Sequence, residues 1–206
     1  PQPGEELWYT AELVVLDLVS GAERPLMTSS MQMGWPAGNP AGTRAAVVQS
    51  YCSDRTVVAG EVSVIDALTG EAVVIDTLAT DVTALRWRSD EVLLWCGLRG
   101  LDTVFGKYDV VTGETTELYS TFETCGFRYP ELGTAAGEAI PVTFEGAARP
   151  HAVCLIDATG VREVRSLAND GTRWISEICS RTTAYSWTAA DGLEIQGLLT
   201  VPEGDG

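Results

Sequence analysis

The chain has 206 residues, 45% of them apolar and 20% charged, with 29 acidic side chains against 13 basic ones and a formal charge of −16. This composition fits a folded globular protein with room for a real core, and it excludes a disordered chain. The charge excludes nucleic acid and anionic membrane surfaces as partners, because both are bound through Lys and Arg; it serves solubility, with a preference for cationic ligands as the sharper alternative.

No apolar run reaches 18 residues, so no membrane-spanning segment is expected. The start, PQPGEELWYT, has neither the basic nor the apolar region of a signal peptide. It also lacks a starting Met, which suggests a chain that is processed or cut from something longer. Cys52, Cys96, Cys125, Cys154 and Cys179 are odd in number and include no CxxC pair, so metal-ligand spacing is absent. Most sit in apolar, strand-like contexts. Buried reduced thiols are expected, and with them a reducing, cytoplasmic compartment.

In chain order, the first element is LVVLDLVSGAERPL (13–26), an apolar strand ending in Asp17, a turn closing on Gly21, and a second strand. Two strand candidates follow, SSMQMGWP (29–36) and TRAAVVQSYC (43–52). Then the first pattern returns as VSVIDALTGEAVVI (62–75), with Asp66 and Gly70. DVTALRWR (81–88) and EVLLWCGL (91–98) precede its third copy, FGKYDVVTGETTEL (105–118), with Asp109 and Gly113. TCGFRYPELG (124–133) and EAIPVTFEG (138–146) precede the fourth, AVCLIDATGVREVR (152–165), with Asp157 and Gly160. The aspartates are 49, 43 and 48 residues apart.

The turns VSG, LTG, VTG and ATG place glycine where a hairpin needs positive φ, and the Asp carboxylate can accept backbone N–H groups of its own turn. Each repeat therefore holds four short strands in about 45 residues, and no segment shows a helical period over three turns. The reading is an all-β chain, a β-propeller of about four four-stranded blades. A twisted four-stranded sheet has two apolar faces and buries both only between neighbours. The first copy begins at the outer hairpin of a blade whose inner strands are missing. The chain therefore reads as an arc of a seven- or eight-bladed ring, with a complete small propeller as the other reading. An open arc is expected to self-associate through its exposed blade edges.

Motifs for chemistry are sparse. There is no G-x-S-x-G elbow, no glycine-rich phosphate loop and no calcium loop. His151 is the only histidine, and it reads as a strand-edge surface or packing residue rather than a general base. The adjacent pairs Glu5-Glu6 and Asp90-Glu91 point to opposite faces if extended, so they read as solvated loop charge. Trp35, Trp87 and Tyr129 stand near repeat-equivalent places and read as packing between blades. Arg128, Arg149, Arg173 and Arg181 lie near strand ends, where one could reach the axial channel and bind a carboxylate. No catalytic, cofactor-binding or metal-binding residue is assigned.

The last stretch is more specific. AYSWTAADGLEIQGLLTVPEG (184–204) resembles the segment that joins propeller to catalytic domain in the prolyl oligopeptidase family of serine peptidases, its acylaminoacyl-peptidase-like and dipeptidyl-peptidase-like branches above all. The matching residues are Trp187, Asp191-Gly192, Ile195, Gly197, Leu199 and Pro202. The resemblance implies a partial propeller over 1–183, and over 184–206 a linker and first strand leading toward an α/β-hydrolase domain absent from this chain. That domain carries the family's Ser-Asp-His triad, so no catalytic residue transfers here. The implied role is gating of short peptides by size at a neighbouring hydrolase. The alternative is a non-enzymatic interaction propeller of TolB or WD-repeat type.

Overall fold

The computed structural model of the chain describes residues 5–51, 57–126, 128–134, 137–146 and 149–202. Sixteen strands occur among them. A 3₁₀ turn, Glu5–Thr10, leads into the hairpin β1 (Glu12–Leu16) and β2 (Glu23–Thr28). Three antiparallel four-stranded sheets follow. Blade 1 is β3 (Gln32–Gly38), β4 (Arg44–Ser50), β5 (Glu61–Asp66) and β6 (Ala72–Ile75). Blade 2 is β7 (Asp81–Trp87), β8 (Val92–Arg99), β9 (Asp102–Asp109) and β10 (Glu114–Thr121). Blade 3 is β11 (Thr124–Cys125), β12 (Ile140–Gly146), β13 (Arg149–Asp157) and β14 (Gly160–Ser166). A helix α1 (Asp170–Ile178) and a second hairpin, β15 (Cys179–Thr188) with β16 (Glu194–Pro202), follow.

Each blade is a meander whose strands pair in sequence order, and the four Asp-to-Gly repeats are its outer hairpins, as expected. The hairpin β1–β2 is such an outer pair, a two-stranded sheet among the described residues. In the first three turns the Asp carboxylate accepts the N–H groups two and three residues on, at 2.8–3.0 Å. The glycine N–H returns to the Asp carbonyl, with glycine φ of 70°, 78° and 73°. Asp157 accepts only Thr159 N–H from its turn backbone, because that turn is one residue shorter and Gly160 pairs directly with Asp157. These bonds, led at Asp157 by one from the Thr159 hydroxyl, hold all four carboxyl groups below the ordinary aspartate range.

Strand alternation sorts the core into layers. In blade 1, Val47 and Ile65 face back and meet Leu26 of the first hairpin. Val48, Val62 and Val64 face forward and meet Val82, Leu93, Trp95 and Val104 of blade 2. Blade 2 turns Leu94, Cys96 and Phe105 forward onto Val142, Phe144, Cys154 and Ile156 of blade 3. Central strands buried on both faces thus read as continuous apolar runs. Burying one such aliphatic or aromatic side chain contributes roughly 1.5–3 kcal/mol, so these layers outweigh the polar contacts at their rims.

One glycine is required by this packing. Gly106 on β9 pairs with Trp95 on β8, and three atoms of the indole lie within 2.5 Å of where a Cβ would stand. Only a residue without a side chain lets the fully buried Trp95 lie flat against the strand.

Three sequence readings change. α1 was not expected: at nine residues it is too short to show a period over three turns, and it starts from a capping box. Asn169 Oδ1 accepts Thr172 N–H at 3.1 Å, and Thr172 Oγ1 accepts Asn169 N–H at 2.8 Å. The three aromatic positions are not equivalent. Trp87 packs between blades 1 and 2 and donates its indole N–H to Ala37 O at 3.0 Å. Trp35 sits in a β-bulge at φ 55°, 42% exposed, and donates to Val58 O, while Tyr129 is half-buried outside any strand. Asp90 is more than solvated charge, since its carboxylate accepts Ala41 N–H at 2.7 Å across the blade 1–blade 2 boundary. Cys52 lies outside the described residues.

Candidate functional site at the exit end of the blades

A meander sends its turns alternately to two ends. The Asp–Gly hairpins and the turns between first and second strands share one end. The turns between second and third strands, and the blade-to-blade connections, share the other. α1 and the β15–β16 hairpin stand at this second end, after the last blade. α1 packs on β13, and the hairpin shares a cleft with Leu101 in the β8–β9 turn.

Two clefts open there. One, of about 510 Å³, is lined by Leu101, Ala184, Tyr185, Ser186, Glu194 and Gln196. The other, of about 140 Å³, lies between the tip of β12–β13 and α1, with Glu145, Arg149, His151, Thr172, Ile175 and Ser176 on its walls.

Three charged or titratable side chains of blade 3, Glu145, Arg149 and His151, line the second cleft. Arg149 Nη1 donates to Glu123 Oε2 at 2.6 Å, and its Nη2 lies 3.3 Å from Cys154 Sγ and 3.6 Å from Glu163 Oε2. Its guanidinium lies 5.5 Å from the centre of the Phe144 ring. The bond to Glu123 raises the Arg149 pKa above its already high ordinary value. His151 Nδ1 stands 2.5 Å from Glu145 Oε2.

Glu145 orients one imidazole nitrogen, as a carboxylate does for a catalytic base. Yet among the described residues no hydroxyl or thiol is bonded to His151, and Ser176 Oγ, on the same cleft, donates to Thr172 O of its own helix. Burial pushes the thiols of Cys96, Cys125 and Cys154 up, so they stay protonated and weakly nucleophilic. Among the described residues no group of three His, Cys, Asp or Glu side chains is placed to hold a metal ion, and no helix is long and apolar enough to cross a membrane.

Of the arginines singled out in the sequence, Arg149 alone joins this cluster, and its fork is occupied by carboxylates. Arg128 is exposed, and Arg173 pairs with Asp170 at 2.9 Å on the surface of α1. The side chains of Arg181, Glu5 and Glu6 lie outside the described set. The His151–Glu145 pair was not anticipated. It depends on which residues of β12 and β13 stand opposite each other, and that register is set by a bulge after Phe144.

The hairpin itself has two unlike faces. Cross-strand pairing puts Thr183, Tyr185 and Trp187 on one face with Leu199, Gly197 and Ile195. The tyrosine and tryptophan rings stack at 6.0 Å. The other face carries Thr182, Ala184, Ser186 and Thr188 with Thr200, Leu198, Gln196 and Glu194. Ala184, Ser186, Glu194 and Gln196 of this second, mostly polar face line the cleft with Leu101, and Tyr185 of the aromatic face reaches it too. Tyr185 and Trp187 remain 52% and 45% exposed.

No family model matches the chain, and no curated protein matches it in sequence. Solved structures do match, and they include peptidases of the prolyl oligopeptidase family. Acylaminoacyl peptidase from Pyrococcus horikoshii superposes with a TM-score of 0.61 at 16% identity over 86% of this chain and 26% of its own. The β-propeller domain of the Trilobed protease from Pyrococcus furiosus gives 0.52 at 18% identity, over 74% of this chain and 48% of that one. An oligogalacturonate lyase in complex with manganese gives 0.59 at 17% identity, over 96% and 57%. The chain spans 26–30% of the length of the full peptidase chains it matches. At these identities the likeness shows the fold: the chain is β-propeller in architecture, an arc of three full blades and an outer hairpin among the described residues.

Proposed function

We propose that the chain is the propeller part of a serine peptidase of the prolyl oligopeptidase family. In this reading it performs no chemistry itself and limits by size the peptides that reach a hydrolase domain joined at its exit end. The observation that carries this is the β15–β16 hairpin. Its aromatic face, with the Tyr185 and Trp187 rings stacked at 6.0 Å, stays 52% and 45% exposed at those two residues. Such a face is built to be buried by another layer of structure. The resemblance of 184–204 to the family's joining segment supports the same assignment, as do the peptidases among the structural neighbours.

A manganese site like the one its complex gives the lyase neighbour finds no support here, since among the described residues no group of three His, Cys, Asp or Glu side chains is placed to hold a metal ion. The test has two arms. The purified chain hydrolyses no acyl-aminoacyl or peptidyl p-nitroanilide. The same chain extended in its reading frame, if it gains a G-x-S-x-G elbow followed by Asp and His, hydrolyses short peptides but not folded proteins. Robust turnover by the chain alone, or a frame that continues without a hydrolase pattern, overturns the proposal.

A further inference from the structure

The outer strands β2, β6, β10 and β14 each end their sheet. A strand in that place offers its free N–H and C=O groups to another strand unless something blocks the edge. Three of the four are blocked. Opposite the place three before the turn aspartate (Val14, Ser63, Gly106 and Cys154) stand Pro25 on β2, Val74 on β6, Glu117 on β10 and Glu163 on β14. Proline has no N–H to offer. Glu117 and Glu163 put charge on the edge, paired with Arg99 at 2.8 Å and Arg149 at 3.6 Å. The hairpins of β2, β10 and β14 also carry a bulge, which bends the edge away from a flat partner. β6 pairs with β5 without any shift, and its run Ala72–Ile75 holds neither proline nor charge.

That edge is open and apolar. Asp66 N–H donates to Glu71 O at 2.8 Å. Alternation from there ties Val73 and Ile75 to β5 and turns the N–H and C=O of Ala72 and Val74 outward. Val73 and Val74 stand on opposite faces of the sheet, 59% and 58% exposed. Blade 1 has a neighbour on each side: Arg24 of β2 donates to Ala67 O, and Thr115 of β10 donates to Asp76 O at 2.6 Å. The edge is exposed because it lies on the rim of a blade that is flanked on both sides.

Exposed carboxylates bracket the apolar run, Glu71 before it and Asp76 after it. Antiparallel pairing of β6 with its own copy about Val73 and Val74 would set Glu71 against Asp76, like charge on like charge, between chains of −16 each. The charge pattern selects a partner with basic ends instead.

We infer that β6 docks an extended segment of a partner protein as a fifth strand of blade 1. The segment lays β-branched residues beside Val73 and Val74 and sets Lys or Arg opposite Glu71 and Asp76; main-chain bonds hold it and the end charges select it. The inference does not depend on the peptidase reading.

Fluorescence anisotropy of the capped, labelled peptide KVTVTVK with the whole chain tests it. Saturable micromolar binding is expected, weaker by several-fold at high salt, where the end charges are screened. Val74→Pro removes the outward N–H and lowers affinity about tenfold, as loss of a hydrogen bond does. Val74→Lys, which sets a charge on the same edge, is the second variant, and circular dichroism checks that both fold. Glu71→Lys narrows the lead of KVTVTVK over the acidic peptide EVTVTVE. No binding at millimolar peptide overturns the inference, as does binding that both Val74 variants leave intact or that EVTVTVE matches. A dimer of the chain that Val74→Lys dissolves also overturns it, because the edge then belongs to a second copy.

Discussion

Replacing Gly106 by alanine sets two physical effects of opposite sign against each other. By backbone entropy alone, Gly→Ala in a strand is favourable by about 0.4–1 kcal/mol, because the unfolded chain has less freedom to lose. The tertiary structure says otherwise. The new methyl would meet three atoms of the Trp95 indole within 2.5 Å. That ring is fully buried between blades 1 and 2, and its Nε1 has no hydrogen-bond partner, so close packing alone holds it in place. Overpacking of this kind costs typically 1–3 kcal/mol, and the ring has nowhere to withdraw, so the upper end applies. The net expectation is a loss of about 2 kcal/mol, or a melting temperature lower by about 4–8 °C for a chain of this size. Thermal unfolding by circular dichroism measures it. The same substitution in a Trp95→Phe background, where the smaller ring leaves room, should cost almost nothing, giving a coupling of about 2 kcal/mol in the double-mutant cycle. An unchanged or higher melting temperature for Gly106→Ala alone would refute the packing account.

The four turn aspartates make stability sensitive to acid. Their folded pKa values lie below the unfolded value of about 3.9, so their contribution is fully present above that pH and is lost as pH falls through the folded values. Asp66→Asn keeps the acceptor but removes the titration, and should unfold with a shallower pH dependence below about pH 4; an identical acid transition counts against the turn bonds. Trp87→Phe deletes the indole bond to Ala37 O between blades and should cost about 1–1.5 kcal/mol in urea unfolding, with no change if blades 1 and 2 do not rely on it. Trp187→Ser should leave the melting temperature of the blades within about 1 °C, since its ring packs on its own hairpin and not on them; surface changes of this kind stay within about 0.5 kcal/mol. A large drop would tie that hairpin to the propeller core.

Much of the architecture was legible in the residue order. The outer hairpins announce themselves because tight turns are local: an aspartate, two or three residues and a glycine suffice to satisfy their own backbone. The inner strands were placed to within a few residues because buried runs such as RAAVVQS and VLLWCG are apolar on both faces. The site was far less legible. Arg149 was one of four arginines with nothing to separate them, and only the pairing of β11 with β12 and of β13 with β14 brings Glu123 and Glu163 around it. His151 found its carboxylate through the register of β12 against β13. Asp90 looked like surface charge until the turns of blades 1 and 2 came together.

The sequence by itself determined the repeat and the all-β class, since each rests on contacts within a few residues or on alternation along one strand. Only the tertiary structure decided which face of each strand looks forward and which looks back. It also decided that three four-stranded blades and an outer hairpin stand among the described residues, that a short helix packs on β13, and that Tyr185 and Trp187 stack on the last hairpin. Those outcomes depend on residues far apart in the chain meeting across a gap, and a bulge of one residue is enough to change which side chains meet.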